Sequence, residues 1–220
     1  MKHHEAHQFS DRGDAKGYFL TGLRPFSIIN TGGRHMAASD IRTGMKIQLN
    51  DGRQSTVLSV RAYLTDVPRV NASTELGETS LCSEAYLSCS HALCELYFGS
   101  SEVAFPVKSI VGHDPAFSWQ ASTGFSECVA LELDAFGWLQ IDDLNVFLPP
   151  LPSDDAHGLW DRNRTPNVHD DLLYIPPQDR LLLSPEETLV LSSFNCTFAD
   201  CTPPPRVNSR YASGLQGGAR

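Results

Sequence analysis

Cys82, Cys89, His91 and Cys94 crowd into one stretch of the chain. Thiolate and imidazole are the side chains that tetrahedral zinc sites use. The spacing Cys-x-His-x-x-Cys works against such a site. On a strand, Cys89 and His91 share a face by the two-residue period, whereas Cys94 points away unless a bulge intervenes. No second pair stands at finger-like spacing, so the pattern favours buried thiols, and no metal is expected. Carboxylates are paired at Asp142-Asp143, Asp154-Asp155 and Asp170-Asp171. Such pairs can bind calcium or carry acid–base chemistry. None sits in a loop with the alternating ligands that calcium requires, and neighbouring Pro and Gly mark them as solvated linker charge. His3, His4 and His7 belong to a polar terminus and are expected in a loose tail.

Bulk composition narrows the function classes. The 220 residues carry 41% hydrophobic side chains, enough for one domain with a real core, or one domain and an appendage. The formal net charge is -9. That balance argues against a non-specific nucleic-acid binder, which needs Lys and Arg on phosphates, and against docking on an anionic membrane. Six cysteines are too sparse for a disulfide framework at this length, so cytosolic thiols are the default. The polar start is not a signal peptide, and no stretch is apolar enough to span a bilayer. A cytoplasmic location is the resulting expectation. Asn71-Ala72-Ser73 and Asn195-Cys196-Thr197 fit the glycosylation pattern but carry little weight without a secretion signal.

The elements that must position any site are mostly strands. Residues 1–17 read as a tail, 18–148 as a β domain, 149–200 as a Pro-rich linker and C-terminal arm, and 201–220 as a disordered tail. Ser27-Ile28-Ile29-Asn30 ends at a Thr31-Gly32-Gly33 turn. Met45 to Leu49 alternates apolar and polar, Asn50-Asp51-Gly52 supplies a hairpin turn, and Thr56 to Tyr63 returns. Tyr86 to Phe98 reads as strand, as does Val103 to Val107. Cys128 to Leu133 alternates, with Trp138 to Ile141 as its short partner across Gly137. A short turn at Ala37 to Ile41 is the best helical candidate before residue 150. Prolines 176, 177 and 185 exclude a long helix from Asp171 to Phe194 and favour edge strands there.

Three stretches together carry a family resemblance. The first is GLRPFSIINTGGRHMAASDIRTGMKIQLNDG, residues 22 to 52, where Ile29, Thr31, Gly33, Ile41, Gly44, Ile47, Asp51 and Gly52 match the family cadence. The second is YLSCSHALCELYFGSSEVAFPVKSIVG, residues 86 to 112, with a Ser three residues before a His. The third is CVALELDAFGWLQIDDL, residues 128 to 144. By their order and spacing, residues 22 to 148 resemble a Hint domain, the fold of inteins and Hedgehog autoprocessing segments, in its bacterial Hedgehog/intein-type branch. The resemblance implies an all-β, compact fold of curved antiparallel strands with pseudo-twofold character, followed by an irregular C-terminal arm.

The resemblance also implies a chemistry. In that family a Cys, Ser or Thr attacks the preceding carbonyl, a motif His protonates the leaving nitrogen, and oxyanion donors hold the tetrahedral state. Here the nucleophile position holds Gly22, which has no side chain. Thr21 next door would restore a hydroxyl in a shifted register. Ser88 and His91 keep the Ser-x-x-His motif. The late strand keeps Asp134 but has Ala130 and Phe136 where the branch has histidines, and Asn145 follows Leu144 rather than a His. A missing nucleophile abolishes covalent catalysis outright.

The expectation is therefore a degenerate Hint-fold module, catalytically inactive, acting as a structural or interaction domain with an unidentified protein partner. No cofactor is implied. One alternative is a self-cleaving domain with Thr21 as nucleophile and His91 as proton donor. Another is an unrelated β-rich virion or surface protein.

Overall fold

The computed structural model describes residues 17–74, 77–121, 124–153 and 175–192. The architecture is all-β and essentially antiparallel. Strands β1 (Tyr18–Leu23), β2 (Ile28–Asn30), β3 (His35–Ala37), β4 (Lys46–Gln48) and β5 (Gln54–Thr65) open the chain. Then come β6 (Arg69–Thr74), β7 (Gly77–Cys82), β8 (Tyr86–Ser90), helix α1 (Ala92–Phe98), β9 (Glu102–Pro106) and β10 (Phe117–Trp119). The rest are β11 (Ser126–Leu133), β12 (Leu139–Ile141), β13 (Leu144–Phe147), β14 (Pro150–Pro152), β15 (Leu181–Leu182) and helix α2 (Pro185–Ser192).

These strands form a five-stranded sheet in the order β14-β1-β11-β5-β4 and a three-stranded sheet β10-β6-β7. A seven-stranded sheet runs β15-β9-β8-β13-β12-β2-β3. Apolar residues from all three meet in one core: Leu20, Leu23 and Leu131 from the first, Val70 and Leu81 from the second, Ile29, Leu87, Phe105 and Ile141 from the third. The alternation that marks the strands is what supplies it, because every second side chain faces inward. A smaller aromatic cluster of Trp138, Phe147, Tyr86 and Phe136 packs against Ala104.

The expected strands at residues 28–30, 46–48, 56–63, 103–106 and 128–133 form, and the turn at Ala38–Asp40 is a 3-10 turn. Three expectations are corrected. Tyr86 to Phe98 is not one strand: β8 stops at Ser90 and α1 follows. The His91 Nδ1 accepts the Leu93 N–H at 3.1 Å and caps the helix start. Gly99, at φ 70, closes the other end by donating to the Glu95 carbonyl, a left-handed conformation that favours glycine. Second, β12 does not pair with β11. Both edges of β11 are already taken by β1 and β5, so the chain crosses after Gly137 to pair β12 with β13 and β2.

Third, the arm is part strand and part helix. Residues 181–182 pair in parallel with β9, and the Leu183 N–H continues the ladder to the Ala104 carbonyl. Then Ser184 and Glu187 form a reciprocal capping box around Pro185, starting α2. The β structure also continues beyond Leu148. β14 pairs with β1 as an edge strand, where proline's missing N–H costs no ladder bond. The N-terminal tail with His3, His4 and His7, the pairs Asp154-Asp155 and Asp170-Asp171, the Asn195 site and the tail beyond Cys201 lie outside the described residues.

Candidate functional site

The four residues that sequence reasoning selects stand on separate elements. Thr21 is buried in β1, beside Gly22. Asp134 follows the far end of the adjacent β11: Leu23 faces Val129, and Tyr18 faces Leu133. Leu20, next to Thr21, faces Leu131, which at a strand rise of about 3.3 Å per residue lies roughly 10 Å along β11 from Asp134. Ser88 is buried in β8 opposite Ala104, within the seven-stranded sheet. His91 is exposed, its Nδ1 committed to its own helix. No side-chain hydrogen bond joins any two of the four. Asp134 instead accepts from the Ser55 hydroxyl at 2.8 Å and the Thr56 N–H at 2.9 Å. Desolvation pushes its pKa up, but these donors outweigh it, and the net shift is downward.

A different constellation surrounds Gly22. The register of β1 on β11 shifts between Leu20 and Leu23, a bulge that turns the Gly22 peptide out of the ladder. Gly22 sits at φ 84, where L side chains are strained. Its N–H donates to the Tyr63 hydroxyl at 2.7 Å, and its carbonyl accepts from Arg69 Nη1 at 3.0 Å. The two peptide units that flank the Gly22 Cα are thus each held by a side chain: Thr21–Gly22 through its N–H and Gly22–Leu23 through its carbonyl. Tyr63 stands opposite Cys128 in the β5–β11 pair, and Arg69 opposite Cys82 in the β6–β7 pair, so strand register alone assembles the group.

Arg69 is only 4% exposed. Its Nε donates to the Ser80 hydroxyl at 2.9 Å, Nη2 to the Ser80 carbonyl at 2.5 Å, and Nη1 also reaches the Cys128 sulfur at 3.5 Å. Ser80 in turn donates to Gln120. Burial lowers the Arg69 pKa, with the thiols of Cys128 and Cys82 opposing it. Burial pushes the Cys82 thiol up to about 11 and raises that of Cys128, against the pull of Arg69. Both thiols stay neutral near pH 7, when it is the thiolate that attacks. A side chain at position 22 has no room either, since a Cβ there would fall 2.6 Å from the Cys82 Cβ.

Sequence reasoning missed Tyr63, Arg69 and Ser80. Each is a single polar residue in a strand pattern, and only tertiary pairing across two sheets makes them neighbours. The Cys/His stretch resolves differently as well. Cys82 joins the Gly22 group, whereas Cys89 and Cys94 are fully buried with their sulfurs 3.9 Å apart, and His91 faces solvent. Among the described residues no group of three or more His, Cys, Asp or Glu side chains is placed to hold a metal ion. No helix among them is long and apolar enough to cross a membrane.

No family model matches the chain, and no curated protein does. Solved structures similar to it are inteins. The gp41-1 intein is 13% identical over 58% of this chain and 98% of its own, with a TM-score of 0.39. The MchDnaB-1 intein is 12% identical over 51% and 87%, with a TM-score of 0.32.

Proposed function

We propose that the chain is a Hint-type scaffold that holds its own peptide bond at the former reaction centre without cutting it, and so serves as a structural or protein-interaction module of the bacterial Hedgehog/intein-type branch. The observation that carries this reading is the state of Gly22. The position that the sequence resemblance assigns to the nucleophile has no side chain, and Cys82 fills the space where one would project. Tyr63 accepts from the N–H of the Thr21–Gly22 peptide and Arg69 donates to the carbonyl of the next one, Gly22–Leu23, which steadies a ground state. Catalysis requires the opposite, interactions that strengthen only as the transition state forms. Of the substitute pair, Thr21 is in β1 of the five-stranded sheet and His91 follows β8 of the seven-stranded one, with its Nδ1 occupied as a helix cap.

The test is the full chain expressed behind an N-terminal fusion partner and weighed intact. The fusion is expected to keep its mass on incubation, also with added thiol or hydroxylamine. Release of the partner with cleavage before Thr21, suppressed by Thr21→Ala and by His91→Ala, would establish the autoprocessing reading instead.

A further inference from the structure

We propose that Cys89 and Cys94 are a modification site: a buried dithiol that closes reversibly to a disulfide and locks helix α1 onto strand β8. The pair spans one corner of the chain. Cys89 is near the end of β8, and Cys94 is in the first turn of α1, three residues past the capping His91. Both side chains are fully buried, yet the sulfurs stand only 3.9 Å apart. A disulfide needs a separation of about 2.05 Å, so closing the pair requires the two sulfurs to approach by roughly 1.9 Å. Cys128, by contrast, faces the Arg69 guanidinium. Cys82 lies beside Gly22 in the same group, on the other side of the β7–β8 turn from Cys89 and Cys94.

The reaction takes a low-molecular-weight disulfide as oxidant. The thiolate of one cysteine attacks it, forming a mixed disulfide and expelling one small thiolate. The second cysteine sulfur then attacks the protein-bound sulfur, forming the Cys89–Cys94 bond and expelling the second small thiolate. The two protein thiols give up two protons and two electrons, and the oxidant leaves as two thiols. Because both sulfurs are buried, the oxidant reaches them when α1 opens locally. That opening is governed by the His91 cap, since α1 is seven residues long and leaves Leu96 and Tyr97 in solvent. Once closed, the bond removes the opening and fixes the helix with that exposed pair.

The experiment is incubation of the full native chain with oxidised glutathione, followed by digestion after glutamate without reduction. Cuts after Glu84 and Glu95 isolate residues 85–95, which hold Cys89 and Cys94 and exclude Cys82, Cys128, Cys196 and Cys201. That peptide is expected about 2 Da lighter than its reduced form, and reversibly so with excess thiol. The loss is expected to vanish in Cys89→Ala and in Cys94→Ala and to persist in Cys82→Ala. His91→Ala is expected to speed the reaction about fivefold by weakening the cap, while His91→Asn keeps the parent rate. An unchanged peptide at saturating oxidant, with both thiols alkylated after unfolding, would overturn the proposal. So would disulfides confined to other cysteines. Equal rates in the parent and His91→Ala would overturn the gating by α1.

Discussion

Arg69 and Arg180 are both drawn out of water, and they are held in opposite ways. The Arg180 side chain is 10% exposed, lies 4.0 Å over the Trp138 ring and reaches the Glu102 carboxylate at 3.2 Å. The Trp138 indole N–H in turn donates to Asp179 at 2.9 Å. The Arg69 hydrogen bonds run instead to two carbonyls, a hydroxyl and a thiol. Gly22 and Cys128 belong to the five-stranded sheet and Ser80 to the three-stranded one, so Arg69 joins two sheets. Arg180 joins one arm to the edge of the third. The difference teaches where polar groups become structural. A guanidinium without a carboxylate must satisfy many backbone groups at once, and those groups are stranded together if it leaves. A guanidinium clasped by one ring and one half-exposed acid holds only what it clasps.

The largest expected effect breaks the first arrangement. Arg69→Met keeps length and apolar bulk but leaves the Gly22 and Ser80 carbonyls without their donor. A loss of about 3–5 kcal/mol is expected from denaturant titration of the whole chain. A loss under about 1 kcal/mol would show that water replaces the guanidinium and that the junction is not sealed. Next in size is Gly22→Ala. The added Cβ meets Cys82 at 2.6 Å and the backbone keeps φ 84, so steric and conformational costs add. About 2–4 kcal/mol is expected. The double variant Gly22→Ala/Cys82→Gly sharpens the reading, because only the steric share should return. Full additivity of the two changes would mean that Cys82 is not what excludes a side chain here.

The same contrast separates what was legible in the sequence from what was not. Strand periodicity located β2, β4, β5, β9 and β11, since a half-buried strand writes its faces into alternate residues. The helix α1 was hidden because His91 is a rare cap and the run to Phe98 has apolar residues on several faces. The helix α2 was legible in principle: Ser184-Pro185-Glu186-Glu187 is a capping box with Pro at the first helical position, but nearby prolines argued for strands. The Gly22 position itself came from the family cadence. Its partners did not, because Tyr63, Arg69, Ser80 and Cys128 are brought together by register between strands distant in sequence. Thr21, Ser88, His91 and Asp134 share a motif order, but no side-chain hydrogen bond joins any two of them.

The smallest effect tests the second arrangement and should be local. Arg180→Ala removes the stacking on Trp138, worth about 0.5–2 kcal/mol for a partly desolvated cation–π contact, and an ion pair that a half-exposed Glu102 makes worth less than about 1 kcal/mol. Glu102 returns to solvent without penalty, so nothing equivalent to the stranded carbonyls of Arg69 remains. The arm still buries Leu183, Thr188 and Leu191 and keeps the Leu183 ladder bond to Ala104, so it should loosen without detaching. Hydrogen exchange is the fitting measurement, because it resolves local from global opening. Amides from Leu183 to Ser192 should exchange roughly tenfold faster, for about 1.4 kcal/mol lost, while amides of β5 and β11 stay at the parent rate. If the core strands accelerate equally, the arm belongs to the same cooperative unit as the Arg69 junction, and the two arginines differ in partners but not in what they hold together.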